Sequence, residues 1–208
     1  MSFLWDRPKV GIYGGTFAPF HNGHMALLKA FLCRCPLDAV YVMPARIPPH
    51  KQIDFADEPN QRLTMLKLTL KVLPEWEERL FVSTYELNHS GPSYTYLTLE
   101  YFHEVMSSDI TFLCGGDMFL TLHEWRRADE VFRLAKIAYA GRPGSDIQGC
   151  ADRYKAEFGA RLIRLSAPLV DISSTEIRRI VGGGGDISEL VPAETALYIK
   201  ENGLYKNV

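Results

Sequence analysis

Two histidines and a glycine-rich segment near the start of the chain have the types and the spacing to bind phosphate. The segment reads Gly14-Gly15-Thr16-Phe17-Ala18-Pro19-Phe20-His21-Asn22-Gly23-His24. Glycines let the backbone approach a ligand closely, and the start of a following helix offers unpaired N–H groups and partial positive charge to an anion. His21 and His24 are three residues apart, so on one helical turn they face the same way. We therefore predict a phosphate site with these candidate residues: Gly14, Gly15, His21 and His24.

The elements on either side of this segment would hold it at the edge of a sheet. Residues 9–13 are short, β-branched and apolar, which is typical of a buried strand, and residues 25–32 are rich in helix formers. Each feature alone has an ordinary structural explanation, because glycine turns are common and two histidines can be a helix cap and a surface residue. Their combination directly after a strand favours the phosphate site.

A second segment with chemical potential runs from Asp171 to Arg179. Its serines and threonine precede Glu176, which is a typical capping pattern for a helix start and could be purely structural. Arg178 falls one turn into that helix, where its guanidinium can fold back over an anion bound at the cap. We therefore predict that Arg178 contacts an anion.

Length and composition favour one globular domain, residues 1–208, with a small-molecule ligand. A chain of 208 residues buries roughly 70% of its unfolded surface, which is enough for one core. Its 23 basic and 25 acidic residues give a net charge of −2, which excludes a general attraction to nucleic acid or to anionic membranes. The sequence also lacks an apolar leader and an apolar run of membrane-spanning length. We therefore expect a cytoplasmic protein without nucleic-acid or membrane partners.

The cysteines are too few and too scattered for a disulfide scaffold: Cys33, Cys35, Cys114 and Cys150. Cys33 and Cys35 could form half of a metal site, but no second Cys or His pair lies at ligand spacing. We expect buried free thiols and no dedicated metal site.

Strand and helix patterns alternate along the rest of the chain. One helical pattern carries an apolar stripe of Leu63, Leu66, Leu70 and Leu73. Further strands are predicted at 39–43, 80–85, 110–114, 136–140 and 161–165. This alternation predicts an α/β fold with a single-domain, doubly wound parallel sheet. Ligands of such sheets bind beyond the carboxyl ends of the strands.

Three loops at that edge carry further candidates. A loop stiffened by two prolines presents Lys51 at a basic tip. Ser93 is predicted to cap a helix that contains Thr95, whose first-turn N–H groups would be unpaired. Asp117 directly follows a strand, where a carboxylate suits a ribose hydroxyl or a loop brace. Trp125 is either a core residue or an aromatic platform.

The glycine-histidine segment and Ile-Ser-Ser-Thr-Glu-Ile-Arg at 172–178 resemble the two signatures of the nucleotidylyltransferase superfamily. Its members move a nucleoside monophosphate from a triphosphate to a phosphorylated acceptor. The superfamily usually has Gly-Thr-Phe-Asp-Pro in the first signature, and here Ala18 replaces the aspartate, so a carboxylate that would brace the turn is missing. Over residues 9–205 the chain resembles the bacterial nicotinate-nucleotide adenylyltransferase family. Besides the two signatures, the segments that carry this resemblance are Pro-Pro-His-Lys, Ser-Tyr-Thr, Gly-Gly-Asp with a downstream Trp, Arg-Pro-Gly and the terminal Tyr-Ile…Leu-Tyr.

This resemblance implies a Rossmann-like nucleotidylyltransferase fold and the transfer of AMP from ATP to nicotinate mononucleotide, with magnesium carried on the ATP phosphates. It implies that His21, His24 and Arg178 are catalytic. The implied ATP-binding residues are Gly14, Gly15, Thr16, Phe17, His21, His24, Ser174, Thr175 and Arg178. The implied residues for nicotinate mononucleotide are Thr16, Phe17, Lys51, Thr95, Asp117 and Trp125. Among these, Thr95 and Trp125 would bind the pyridine ring, and Arg142 is a further candidate for phosphate contact.

Two alternatives stay open. A pantetheine-phosphate adenylyltransferase would share the signatures, but the Ser-Tyr-Thr and Gly-Gly-Asp segments and the greater length disfavour it. A catalytically inactive nucleotide sensor would be compatible with Ala18, but the intact His21, His24 and Arg178 disfavour it. The sequence leaves the oligomeric state open, a homo-oligomer included.

Overall fold

The structure, a computed structural model, describes residues 7–49, 58–141, 146–168 and 170–206. Within them, six strands form one sheet in the order β3-β2-β1-β4-β5-β6, and each neighbouring pair is parallel. The strands are β1 (Lys9–Gly15), β2 (Ala39–Pro44), β3 (Leu80–Val82), β4 (Asp109–Cys114), β5 (Ala135–Tyr139) and β6 (Leu162–Arg164). The prediction of a doubly wound parallel α/β sheet is confirmed.

Helices connect the strands and follow the last one. They are α1 (Asn22–Arg34), α2 (Pro59–Leu70), α3 (Tyr85–Asn88), α4 (Thr95–Met106), α5 (Gly116–Leu120), α6 (Ala128–Leu134), α7 (Ile147–Phe158), α8 (Ser174–Gly182) and α9 (Ala193–Glu201). Two short 3₁₀ turns lie at Pro74–Trp76 and Leu122–Glu124. Within the described ranges, no helix is long and apolar enough to cross a bilayer.

The strand order reverses between β1 and β4, which are neighbours in the sheet although they are far apart in the chain. In open α/β sheets, this reversal leaves a crevice at the carboxyl edge, where ligands bind. The loop after β1 and the loop after β4 both begin at this crevice. The fold therefore brings the glycine-histidine segment beside the segment that contains Asp117 and Trp125.

The alternation of side chains along the strands divides the core between the two faces of the sheet. On one face, Ile12 and Phe112 pack in a cluster to which α4, α6 and α7 contribute. On the other face, Tyr13 packs in a cluster with α1. Gly11 allows α1 to lie directly on β1, because a Cβ at this position would be 2.7 Å from the ring of Phe31. Gly11 therefore serves the packing of α1 against the sheet.

A third cluster joins α2 to the C-terminal helices. Met65 of α2 packs with Ile177 of α8 and Ile199 of α9. The buried hydroxyls of Thr69 and Thr195 share a hydrogen bond of 2.7 Å between α2 and α9. This packing fixes α8 relative to α2, and both helices reach the loop after β1.

One local prediction was wrong and another was incomplete. The third strand ends at Val82, because Ser83 Oγ accepts the N–H of Tyr85 and the chain turns into α3. The buried face of α2 consists of Arg62, Met65, Leu66 and Thr69. The predicted leucine stripe omitted Arg62, Met65 and Thr69, but Leu66 and Leu73 are buried and Leu70 packs against the same cluster.

Candidate active site

The loop after β1 is shaped by Phe17. Its φ is +51°, a left-handed conformation that is costly for a residue other than glycine. Its ring is buried and occupies the space beside Gly15, where a Cβ would lie 2.7 Å from the nearest ring carbon. Its centroid is 5.2 Å from that of Tyr13 and from that of His24, with an edge-on arrangement in both pairs. The position of this ring therefore requires glycine at residue 15.

The two histidines cap α1 and each other. His21 Nδ1 accepts the N–H of Gly23 (3.2 Å) and of His24 (3.4 Å), and His24 Nδ1 accepts the N–H of His21 (3.3 Å). Their rings stack with a centroid distance of 3.7 Å. A ring nitrogen that accepts a hydrogen bond carries no proton, so each neutral imidazole holds its proton on Nε2. The histidines therefore do form a helix cap, which was the ordinary structural explanation for them. The same arrangement also provides two Nε2–H donors at the start of α1.

The start of α8 contacts the same loop. Ser174 Oγ donates to the carbonyl of Pro19 (3.0 Å), and Arg178 Nη1 donates to the carbonyl of Ala18 (2.8 Å). Arg178 Nη2 also donates to Thr175 Oγ1 (3.2 Å). The predicted capping pattern is confirmed: Ser173 is the N-cap, and its hydroxyl accepts the N–H of Glu176. The structure therefore brings Ser174, Thr175 and Arg178 to the glycine-histidine segment.

Side chains from two helices hold the loop at the position where the sequence lacks the usual aspartate. Ala18 is 1% exposed, and its carbonyl is bound by Arg178. The carbonyl of Thr16 accepts a hydrogen bond from Arg62 Nη1 (2.9 Å), and that of Pro19 is bound by Ser174. Three carbonyls of the loop are thus fixed without a carboxylate at residue 18.

Three candidates lie at the same edge on the opposite face of the sheet. Thr95 begins α4 and is half-buried, and Asp117 is exposed in the first turn of α5. Trp125 is half-buried, with its ring 6.1 Å from that of Phe112 in an edge-on arrangement. Trp125 therefore packs against the core and still presents part of its surface.

The predicted cap of α4 was wrong. The N-cap is Tyr94, which makes no side-chain capping bond, and Ser93 Oγ accepts the N–H of Arg46 (3.0 Å). The start of α4 therefore keeps backbone donors without a side-chain cap, which suits an anion better than the predicted arrangement.

Two aromatic contacts join the start of α4 to the loop of Trp125. The guanidinium of Arg126 lies 5.1 Å from the ring centroid of Tyr94, and that of Arg127 lies 5.2 Å from the ring centroid of Tyr96. Sequence reasoning missed both pairs. The signal was the Tyr-Thr-Tyr repeat and the paired arginines after the tryptophan, but the chain alone does not say that they meet.

Two ionisable side chains on β1 and β4 are held uncharged by burial. Burial raises the pKa of the Tyr13 hydroxyl, with a further contribution from Cys114, and burial raises the pKa of the Cys114 thiol.

All four thiols are free, but Cys33 is exposed and Cys150 only partly buried, against the expectation of burial. Among the described residues, no group of three or more His, Cys, Asp or Glu side chains is placed to hold a metal ion.

Lys51 and Arg142, the remaining sequence candidates, lie outside the described residues. Their assignments stay predictions.

Known proteins are similar to this chain in sequence and in fold. A family model described as cytidylyltransferase-like matches residues 12–180. The chain is 36% identical over 202 residues to a probable nicotinate-nucleotide adenylyltransferase of Clostridium tetani, covering 95% of this chain and 99% of the relative. It is 36% identical over 204 residues to a probable nicotinate-nucleotide adenylyltransferase of Neisseria meningitidis, covering 95% of this chain and 98% of the relative.

A solved structure is similar over nearly the whole fold. It is Plasmodium falciparum nicotinic acid mononucleotide adenylyltransferase complexed with NaAD, with a TM-score of 0.81 and 18% sequence identity over 97% of this chain and 98% of that chain. The family match spans the strands and loops that build the crevice, and the bacterial relatives extend the similarity over 95% of the chain. The chain therefore belongs to the cytidylyltransferase-like family and, within it, to the nicotinate-nucleotide adenylyltransferases.

Proposed function

We propose that the protein transfers AMP from ATP to nicotinate mononucleotide, giving deamido-NAD and pyrophosphate. The observation that carries the proposal is the stacked pair His21 and His24, held at the start of α1 beside the loop after β1. This pair lies at the reversal point of the sheet, where a nucleotide is expected. The names of the bacterial relatives support the choice of substrates.

The reaction needs no covalent enzyme intermediate. A phosphate oxygen of nicotinate mononucleotide attacks the α-phosphorus of ATP in line and forms a new P–O bond. The bond between the α-phosphorus and the oxygen bridging to the β-phosphate breaks, and pyrophosphate leaves with that electron pair. The protein therefore contributes alignment and stabilisation of negative charge.

In this proposal the two imidazoles and the start of α1 stabilise charge at the reacting centre. The Nε2–H groups of His21 and His24 donate to the ATP phosphates, and the helix start adds partial positive charge. Backbone N–H groups of Gly15, Thr16 and Phe17 contact phosphate, with Gly14 leaving room for the ligand.

The start of α8 holds the outer phosphates and the departing pyrophosphate. The guanidinium of Arg178 can bond two phosphate oxygens at once, and Ser174 and Thr175 lie beside it on the same helical turn. Magnesium arrives bound to the ATP phosphates and is part of the substrate.

The acceptor lies on the other side of the crevice. Its pyridine carboxylate accepts hydrogen bonds from the first-turn N–H groups and the hydroxyl of Thr95, and its ring stacks on the exposed part of Trp125. Asp117 faces the ribose or phosphate region, and Lys51 contributes a phosphate contact. An acid is preferred to an amide here, since an amide would turn an NH₂ toward a donor and leave both groups unpaired.

Pyrophosphate release in the presence of MgATP tests this function. Nicotinate mononucleotide, nicotinamide mononucleotide and phosphopantetheine are supplied separately, and we expect the highest kcat/KM with nicotinate mononucleotide. Faster release with phosphopantetheine would favour the pantetheine-phosphate alternative. ATP binding without release from any acceptor would favour an inactive nucleotide sensor.

A further inference from the structure

Arg62, in the first turn of α2, is buried beside the loop after β1. It is 1% exposed and is by volume the largest side chain under 2% exposure among the described residues. Removing a guanidinium from water is costly unless hydrogen bonds replace its hydration. An arginine on the inner face of a helix therefore indicates a specific set of acceptors.

Among the described residues, backbone carbonyls from two loops accept hydrogen bonds from this guanidinium. Arg62 Nη1 donates to the carbonyls of Thr16 (2.9 Å) and Ala45 (2.7 Å), and Nη2 donates to that of Arg46 (3.4 Å). These loops leave neighbouring parallel strands, whose pairing ends at Gly15 and Pro44. The guanidinium therefore continues the connection between β1 and β2 beyond the last strand residues, at the edge where the ligands are proposed to bind.

The bond to Thr16 also sets the direction of the next N–H group. In a trans peptide, the carbonyl of one residue and the N–H of the next lie in one plane and point in opposite directions. Because the Thr16 carbonyl points toward the buried guanidinium, the Phe17 N–H points away from it. Phe17 has a φ of +51°, and such a backbone persists only where its surroundings over-determine it.

We propose that Arg62 is a positioning residue, which holds the Thr16–Phe17 peptide so that the Phe17 N–H points toward the bound phosphate. The proposal rests on the proposed function for the identity of the phosphate. It assigns Arg62 no contact with substrate: the residue acts through the peptide plane and through the spacing between the two loops.

Arg62→Gln and Arg62→Lys test this role, with Thr69→Val as the matched control. Thr69 lies on the same helix and is equally buried, but its hydroxyl bonds Thr195 and no loop carbonyl. All variants are assayed well below their unfolding transitions. We expect kcat/KM to fall by about 10- to 100-fold in Arg62→Gln, because a small misplacement of aligning groups can cost about that much.

The separation of KM from kcat distinguishes positioning from a loss of folded protein. A smaller folded fraction lowers the apparent kcat and leaves KM unchanged, whereas a turned peptide also raises KM for a substrate whose phosphate it contacts. We expect a higher KM for at least one substrate in Arg62→Gln, a smaller rise in Arg62→Lys, and wild-type KM and kcat/KM in Thr69→Val. Wild-type KM values in Arg62→Gln would overturn the proposal, as would an equal loss in Thr69→Val.

A substrate-free measurement separates this proposal from the proposed function. Hydrogen–deuterium exchange of residues 14–20 should accelerate in Arg62→Gln and stay unchanged in Thr69→Val. If the wild type releases no pyrophosphate, the proposed function fails, while the exchange result still decides whether Arg62 holds the loop. Unchanged exchange in Arg62→Gln would reject the positioning role.

Discussion

At the scale of single residues, the pair His21 and His24 caps a helix with one ring nitrogen of each residue, and we propose that the other nitrogen binds phosphate. Capping boxes usually combine a hydroxyl at the N-cap with Glu or Gln three residues later. Here imidazoles occupy both positions, and their Nδ1 atoms accept the backbone N–H groups. The cap thereby selects the tautomer that leaves Nε2–H as donor, so the same contacts that begin α1 also prepare the proposed phosphate donors.

The two tasks of His24 can be separated by substitution. His24→Ala removes both, and we expect a loss of about 10²- to 10³-fold in kcat with a destabilisation of about 1 kcal/mol. Gln is a usual residue at this position of a capping box, so His24→Gln should recover the melting temperature without recovering kcat. Turnover and thermal unfolding are measured on the same samples. Near-normal turnover in folded His24→Ala would show that this histidine serves only as a helix cap.

At the scale of elements, helix starts at the carboxyl edge supply the site. The starts of α1 and α8 meet at the loop after β1, whereas α4 begins on the other face and is tied to the Trp125 loop by two arginine–tyrosine contacts. The absence of a side-chain cap on α4 leaves its start suited to a carboxylate. In the proposed assignment, ATP lies on one face and the acceptor on the other.

Substitution of Thr95 tests the acceptor side. Loss of a charge-assisted hydrogen bond costs about 1.5–3 kcal/mol, so we expect the wild type to prefer the acid to the amide by roughly 10- to 150-fold in kcat/KM. Thr95→Val should reduce this preference, whereas Trp125→Ala should weaken both acceptors alike, because stacking does not distinguish acid from amide. Equal use of both acceptors by the wild type would contradict the assignment. Unchanged preference in Thr95→Val would leave the backbone N–H groups as the discriminating element.

Glu86 links α3 to α4 and gives a prediction about pH. It is 7% exposed and accepts a hydrogen bond from Thr98 Oγ1 (2.7 Å). Burial raises the pKa of its carboxyl, against smaller opposing effects of hydrogen bonds from Thr98 and Ser93. Since the folded state then holds the proton more tightly than the unfolded state, Glu86 lowers the free energy of unfolding as pH rises from its unfolded-state pKa to its folded-state pKa.

Glu86→Gln should therefore stabilise the protein at neutral pH, because its amide oxygen can still accept from Thr98 and it carries no charge. The advantage over the wild type should vanish at pH values below the unfolded-state pKa and become constant above the folded-state pKa. Chemical denaturation over a pH series, with Glu104→Gln at an exposed position of α4 as control, measures this difference. A Glu86→Gln variant that loses stability at neutral pH would contradict the prediction.

At the scale of the whole molecule, the sequence predicted the sheet, its six strands and the two segments that meet at the crevice, because short apolar runs and capping patterns are local signals. It predicted only part of the buried face of α2. Arg62 and Thr69 are polar, so the sequence alone favours surface positions for them. In the structure they share the buried face of the helix with Met65 and Leu66. It also placed the cap of α4 at Ser93, because it could not show that this hydroxyl pairs with the distant Arg46. Such contacts exist only after the strands have assembled, so they lie beyond local patterns.

The fate of the α-phosphate tests the central claim most directly. The protein is incubated with magnesium, nicotinate mononucleotide and ATP labelled at the α-phosphorus, and the label is followed in the small-molecule and protein fractions. We predict that the label passes into deamido-NAD in equal amount to the pyrophosphate released, with none on the protein. Label retained covalently on the protein, or pyrophosphate released without labelled dinucleotide, would contradict direct transfer to this acceptor.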